Sequence, residues 1–316
     1  KPATTNATIP DWLGQSLAQE NLNSDRTRGF DLTVRHHNHF GDFQYGITGN
    51  MAFSRMMNRY VEHTDYGTQY LNWRNNSTNR YNDIWWGYDY AGQFNDLYEI
   101  WDAPIMDNLG NSQLKPGDYC YEDWNGDGVI DENDLHPIKY GAQTTPVLYY
   151  GLTLDLSWKG IDLTAVFQGG AFNNVKYDWY LSTPFIYDKN GPDFFFDRWH
   201  MEDASADPLD PRTKWVRGYL PTTSQGSNAM SLNTSTSAAS LHEASYIRLK
   251  SLELGYTLPK KWVQKVNASS VRVFTNAYNL LTCTGLKYLD PEHPSSGYGT
   301  TYPLICTVNF GVNIKF

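Results

Sequence analysis

The residues with the clearest chemistry are Asp123 to Asp134, DWNGDGVIDEND. Ca²⁺ takes six to eight oxygen ligands, and a twelve-residue loop offers them from positions 1, 3, 5, 7, 9 and 12. Those positions are Asp123, Asn125, Asp127, the backbone carbonyl of Val129, Asp131 and Asp134. Gly128 stands at position 6, where the chain turns sharply, and Ile130 at position 8 is an apolar pin. Position 12 is Asp134 where the standard pattern has a bidentate Glu. Its shorter reach predicts weaker calcium binding, with Mg²⁺ as a competitor. An Asx-rich turn that holds no ion would use the same residue types. Pro116 and Gly117 upstream, and Pro137 and Pro146 downstream, leave no room for the paired helices of a calcium sensor. Residues 118–140 therefore read as an EF-hand-like clip within a larger extracellular loop.

Other constellations are weaker. In HHNH, His36 and His37 point to opposite faces of a strand, so only His37 and His39 could share an ion. A polar strand end is the plainer reading. Trp85, Trp86, Tyr88 and Tyr90 in IWWGYDY, and Phe194 and Trp199 in DFFFDRW, could stack on sugar rings or a partner, or simply pack their own loops. Asp290, Glu292 and His293 come without a nucleophile elbow or a paired-carboxylate pattern, so no catalytic set emerges. The odd count of cysteines, Cys120, Cys283 and Cys306, argues against a disulfide framework, although a Cys120–Cys283 bridge between loops stays open.

The elements that must carry these residues alternate with the period of a strand. Leu304, Cys306, Val308, Phe310, Val312, Ile314 and Phe316 share one face, and Ile305 alone breaks the polar opposite face. Leu148, Tyr150, Leu152, Leu154, Leu156 and Trp158 repeat the pattern, as do Ile161, Leu163, Ala165 and Phe167 after the turn Lys159–Gly160. Phe43, Tyr45, Ile47, Met51 and Phe53, then Phe30, Leu32 and Val34, and later Leu252, Leu254, Tyr256 and Leu258 do the same. VRVFTNAYNLL is ambiguous, because Val271 and Val273 give way to Phe274, Tyr278 and Leu280. The spacing predicts seven long antiparallel strands near 28–40, 43–57, 146–158, 161–171, 246–258, 270–282 and 303–316.

Such lengths exceed the five or six residues usual in a sandwich strand and match the nine to eleven that cross a bilayer at a tilt. Connections are short at Gly41–Asp42, Lys159–Gly160 and PKKWVQKVNASS, and long over about 56–145, 171–245 and 283–302. Short turns on one side, long loops on the other and apolar/polar alternation with aromatic flanks describe an all-β, transmembrane antiparallel barrel. Aromatic residues make up 15% of the 316, too many for a water-facing sheet, and no run of 18 apolar residues offers a membrane helix. A net charge of −9 without a basic cluster excludes nucleic acid as a partner. Seven strands leave open edges, and the chain opens at KPATTNATIP without Met, so it reads as a piece of a longer, split or nicked protein.

RGFDLTV, GYDYAGQF, KPGDYCYEDWNGDGVIDENDL, PVLYYGLTLDLSWKGIDLTAVFQG, SYIRLKSLELGYTLPKKW, NAYNLLTCTGLKYLDPE and the final NFGVNIKF occur in that order. In these segments the chain resembles the SusC/RagA-like branch of TonB-dependent outer-membrane transporters from Bacteroidetes, over nearly its whole length. The resemblance implies the C-terminal part of a 22-stranded barrel, of which residues 1–316 supply about the last seven strands. It also implies an N-terminal plug and further strands in the same or a second chain, a SusD-like surface lipoprotein as partner, and energy from the TonB complex. The cargo would be oligosaccharides or peptides and the location the cell outer membrane. A passive porin or adhesin barrel, and a secreted calcium-dependent glycan-binding β-protein, are the competing readings.

Overall fold

A computed structural model of the protein describes residues 21–107, 109–142, 145–177, 179–184, 190–222, 232–292, 302 and 304–316. Seven long strands form one antiparallel sheet: β1 (Ser24–Phe40), β2 (Phe43–Tyr60), β3 (Leu148–Trp158), β4 (Ile161–Ala171), β5 (Tyr246–Thr257), β6 (Ser270–Thr284) and β7 (Thr307–Lys315). Each pairs with its predecessor and its successor in that order. The predicted strands are all present. β2 runs three residues further than expected, and β7 starts at Thr307 because Leu304 to Cys306 are not in a strand. Pro303 lies outside the described residues. No described helix is long and apolar enough to cross a membrane.

The register carries the apolar alternation across the whole sheet. Phe40 faces Phe43, which faces Trp158, Ile161, Tyr256, Val273 and Val312 in succession. The next row on that face is Asn38, Tyr45, Leu156, Leu163, Leu254, Thr275 and Phe310. Shifted by one residue, the opposite face runs His37, Gly46, Asp155, Thr164, Glu253, Asn276 and Asn309. A one-residue slip would exchange the two faces, so burial of one of them in lipid specifies the register. Phe310 is 84% exposed, Val312 60% and Trp158 51%, an exposure that suits hydrocarbon and not water.

The ambiguity of β6 has a local cause. Its pairing with β5 shifts between Leu249 and Ser251, and Asn279 takes a left-handed φ of 53°. This β-bulge returns Leu281 to the outer row opposite Leu249, after Val271, Val273 and Ala277. Phe274 lies on the polar face between Gly255 and Gly311, and a Cβ at Gly311 would strike its ring. The same face is stitched by ions: the Arg272 guanidinium bonds Asp162 on β4 and Glu253 on β5, the latter at 2.7 Å. Gly255 leaves the space through which that guanidinium passes.

The long connections are not extended loops. Residues 61–147 fold around Phe94, Leu97, Ile100, Met106, Leu114, Tyr119, Tyr121 and Ile130, all buried. Ile84–Gly87 pairs with His136–Tyr140, and Tyr90–Gln93 with Tyr119–Tyr121. The second connection pairs Asn174–Lys176 with Leu241–Glu243, and its chain docks on the first: Tyr121 Oη donates to Leu232 O at 2.6 Å. Arg55 at the top of β2 grips buried Asp83 with two bonds of 2.8 and 2.9 Å, tying this loop unit to the sheet.

Candidate functional site

Two strands, and no helices, hold the cation-type loop, as its flanking prolines require. Tyr119–Tyr121 precedes it, and a single 3₁₀ turn, Glu132–Asp134, leads into His136–Tyr140. Ile130 is buried in the core of the loop unit, where it was expected as a pin. The segment after the helix Leu97–Asp102 clips the loop from behind: Ile105 N donates to Gly128 O at 2.9 Å, and Ile130 N to Ile105 O at 2.8 Å. Gly126 and Gly128 take φ of 75° and 86°, which a Cβ would strain.

Inside the loop the acidic oxygens face backbone amides. Asp123 accepts from Gly126 N at 2.7 Å and Gly128 N at 2.7 Å, Asn125 from Asp127 N at 2.9 Å, and Asp127 from Val129 N at 2.9 Å. The Gly128 amide, aided by those of Gly126 and Asp127 and by Asp134, holds the Asp123 carboxyl below the usual range. Asp134 is fully buried and accepts from Trp124 N and Asp131 N at 2.9 and 2.8 Å. Among the described residues no group of three or more His, Cys, Asp and Glu side chains is gathered as a metal would need. Each carboxylate oxygen that accepts one amide retains a second lone pair. Asp134 serves as a staple of the loop backbone.

The aromatic candidates are packed by the chain itself. Trp85 Nε1 donates to Asn174 O at 3.1 Å, Trp86 meets Trp73 edge-on at 5.6 Å, and Tyr88 packs on Tyr121 at 5.2 Å. Trp199 is buried and donates to Gln93 Oε1 at 3.2 Å. Phe194 stacks on Tyr288 at 4.2 Å. The two long connections cover each other, because pooling their apolar surface gives a core that neither has alone. Tyr90 at 37% is the exposed member, and the fully solvated rings are others, Phe196, Tyr219, Tyr98 and Trp101.

The remaining candidates resolve into structure. His36 shares a hydrogen bond of 3.1 Å with Tyr45 Oη, and His37 and His39 sit together on the polar face. Cys120, Cys283 and Cys306 are all free, so the Cys120–Cys283 bridge does not form. Asp290 and Glu292 clamp buried Arg248 at 2.6 and 2.8 Å, and Glu292 also bonds Lys250. His293 lies outside the described residues.

One feature escaped the sequence: a cavity of about 430 Å³ between the second connection and the segment after β6. Lys176, Tyr177, Phe194, Tyr219, His242 and Tyr288 line it. The His242 ring lies on Tyr177 at 4.0 Å, and burial, with Lys139 nearby, pushes its pKa down to about 4. These residues are separated by up to 112 positions and share no spacing rule that could have flagged them.

No protein-family profile matches the chain. It is 23% identical over 98% of its length to TonB-dependent receptor P3 of Formosa agariphila, and 26% identical over 64% to TonB-dependent receptor SusC of Bacteroides thetaiotaomicron. The chain spans about 30% and 18% of these relatives. The RagAB peptide importer in its open-open state superposes on all of it with a TM-score of 0.66 at 19% identity, matching 31% of that chain. The RagAB peptide transporter gives 0.62 over 98%. These relatives are TonB-dependent receptors and peptide transporters, and with the latter the chain shares an antiparallel sheet under folded loops. Over nearly its whole length the chain is similar to part of such TonB-dependent receptors.

Proposed function

We propose that the chain is the barrel portion of an energised importer that carries oligosaccharides or peptides across the outer membrane. The observation behind this is the seven-strand sheet with a predominantly apolar outer face, an ion-stitched polar face and a folded unit above it. In the proposal, strands outside this segment close the barrel, a plug fills it, TonB supplies the energy, and a SusD-like lipoprotein covers the extracellular side. Uptake of labelled substrate by cells carrying the whole transporter is expected to stop when the proton-motive force is collapsed. Uptake that persists would favour a passive porin. Tyr98 and Trp101, a solvated edge-on pair at 5.3 Å, are the anchors the lipoprotein would cover. Their replacement by Ala is expected to weaken co-purification of the lipoprotein, whereas Trp199→Ala should loosen the loop unit first.

The loop 118–140 is read as a calcium clip, with Mg²⁺ as the competitor, held by Asp123, Asn125, Asp127, the Val129 carbonyl and, around them, Asp131 and Asp134. The spacing and the two left-handed glycines support it. The ion would screen carboxylates that otherwise repel one another, and it performs no chemistry. Chelation is expected to expose the loop to limited proteolysis and Asp127→Asn to do the same with calcium present. Identical proteolysis with calcium, magnesium and chelator would leave an Asx turn.

A further inference from the structure

Lys176 is the unexplained group of the cavity. It ends the short strand Asn174–Lys176, more than half removed from water, and among the described residues its ammonium meets one partner, Thr236 Oγ1 at 3.3 Å. No carboxylate forms an ion pair with it among the described residues, and burial alone lowers its pKa. Asp197, the acid that also lines the cavity, accepts the amide of Tyr219 at 3.1 Å. A part-buried cation without a counter-ion is unfavourable, and the deficit is removed by an anion. Around it stand rings: Tyr177 under His242, and Phe194 stacked on Tyr288. Asn233, which also lines the cavity, already serves Asp118 and Tyr119. A single carboxylate next to an apolar side chain fits what is present.

We infer that the cavity at Lys176 takes the free carboxyl terminus of a peptide, with an aromatic or large apolar last residue between the rings of Tyr177, Phe194 and Tyr288. This rests on the importer reading and narrows its cargo to peptides at this site. Lys176 would pair with the terminal carboxylate, and His242, kept neutral, would add no competing charge.

The test uses the whole transporter purified in detergent and a fluorescent tetrapeptide ending in Phe, as free acid and as C-terminal amide. The acid is expected to bind about tenfold more tightly than the amide, as a charge-assisted bond should provide. In Lys176→Gln that preference should vanish, and in Lys176→Arg it should persist. Equal binding of acid and amide to the unaltered protein overturns the inference, even if the variant fails to fold. So does displacement of the probe by a uronate oligosaccharide but not by unlabelled peptide acid. Energy-dependent uptake is measured in parallel: uptake without acid preference sinks this inference alone, and loss of uptake with the preference intact sinks the importer reading alone.

Discussion

Asp118 and His242 titrate in opposite senses within the same loop unit. Burial pushes the Asp118 carboxyl up to about 6, against hydrogen bonds from the Asn233 side chain and the Lys115 amide. The folded unit therefore holds that proton more readily than the unfolded chain, and its stability falls as pH rises from about 4 to about 6. His242 is the reverse: with a folded pKa of about 4 against 6.5 unfolded, it stays neutral while the unfolded imidazole charges. Its effect is a loss of stability as pH falls from 6.5 to 4. Each is worth roughly 2–3 kcal/mol, so between pH 4 and 6 they nearly cancel. Melting of the intact protein, followed through its loop unit, is expected to change little over that range. His242→Gln should melt higher at pH 4.5 than at pH 6.5, and Asp118→Asn lower. Two variants with the same pH dependence would contradict both assignments.

The two faces of β7 make opposite demands on a charge. Val308 and Phe310 continue the outer rows begun by Ile47 and Tyr45, whereas Asn309 continues the row of His37 and Asp155. Val308→Arg or Phe310→Arg is expected to destabilise by about 2–4 kcal/mol near the bilayer midplane, read as loss of the heat-modifiable band. Asn309→Arg should be tolerated. Equal sensitivity at 309 and 310 would mean that the register is wrong. On the polar face, Arg272→Ala leaves Asp162 and Glu253 facing each other without their cation. It should cost more than Asp162→Asn, because removing the shared cation strands two charges and removing one acid strands none. Denaturant midpoints of the two variants decide between them.

At the scale of the molecule, β1 and β7 are the outer strands of the described sheet, each pairing along one side only. In hydrocarbon every unpaired amide and carbonyl on such an edge is worth several kcal/mol, so the sheet must meet further strands. Expressed alone, residues 1–316 are expected to aggregate without forming a heat-modifiable species. Co-expression with the remainder of the polypeptide should restore one. A detergent-free, stable monomer of this chain would contradict a lipid-facing role for the rows of Phe40 and Asn38.

The sequence by itself determined the seven strands, their order and their two faces, because a period of two is a local property and a lipid boundary enforces it over every residue. Its short turns and its long connections were equally plain. It also marked the loop Asp123 to Asp134, whose ligand types lie within twelve consecutive positions. The bulge at Asn279 was hidden in the ambiguous alternation of VRVFTNAYNLL, since a slip of phase and a Phe274 on the polar face look alike in one dimension. Tertiary structure alone decided that the long connections share a core, that Trp199 is inside and Tyr98 outside, and that Arg272 bridges three strands. It alone brought Lys176 to Tyr288. Those contacts join residues up to 126 positions apart, and pairing over such separations is chosen by the shape of the whole chain rather than by any local pattern.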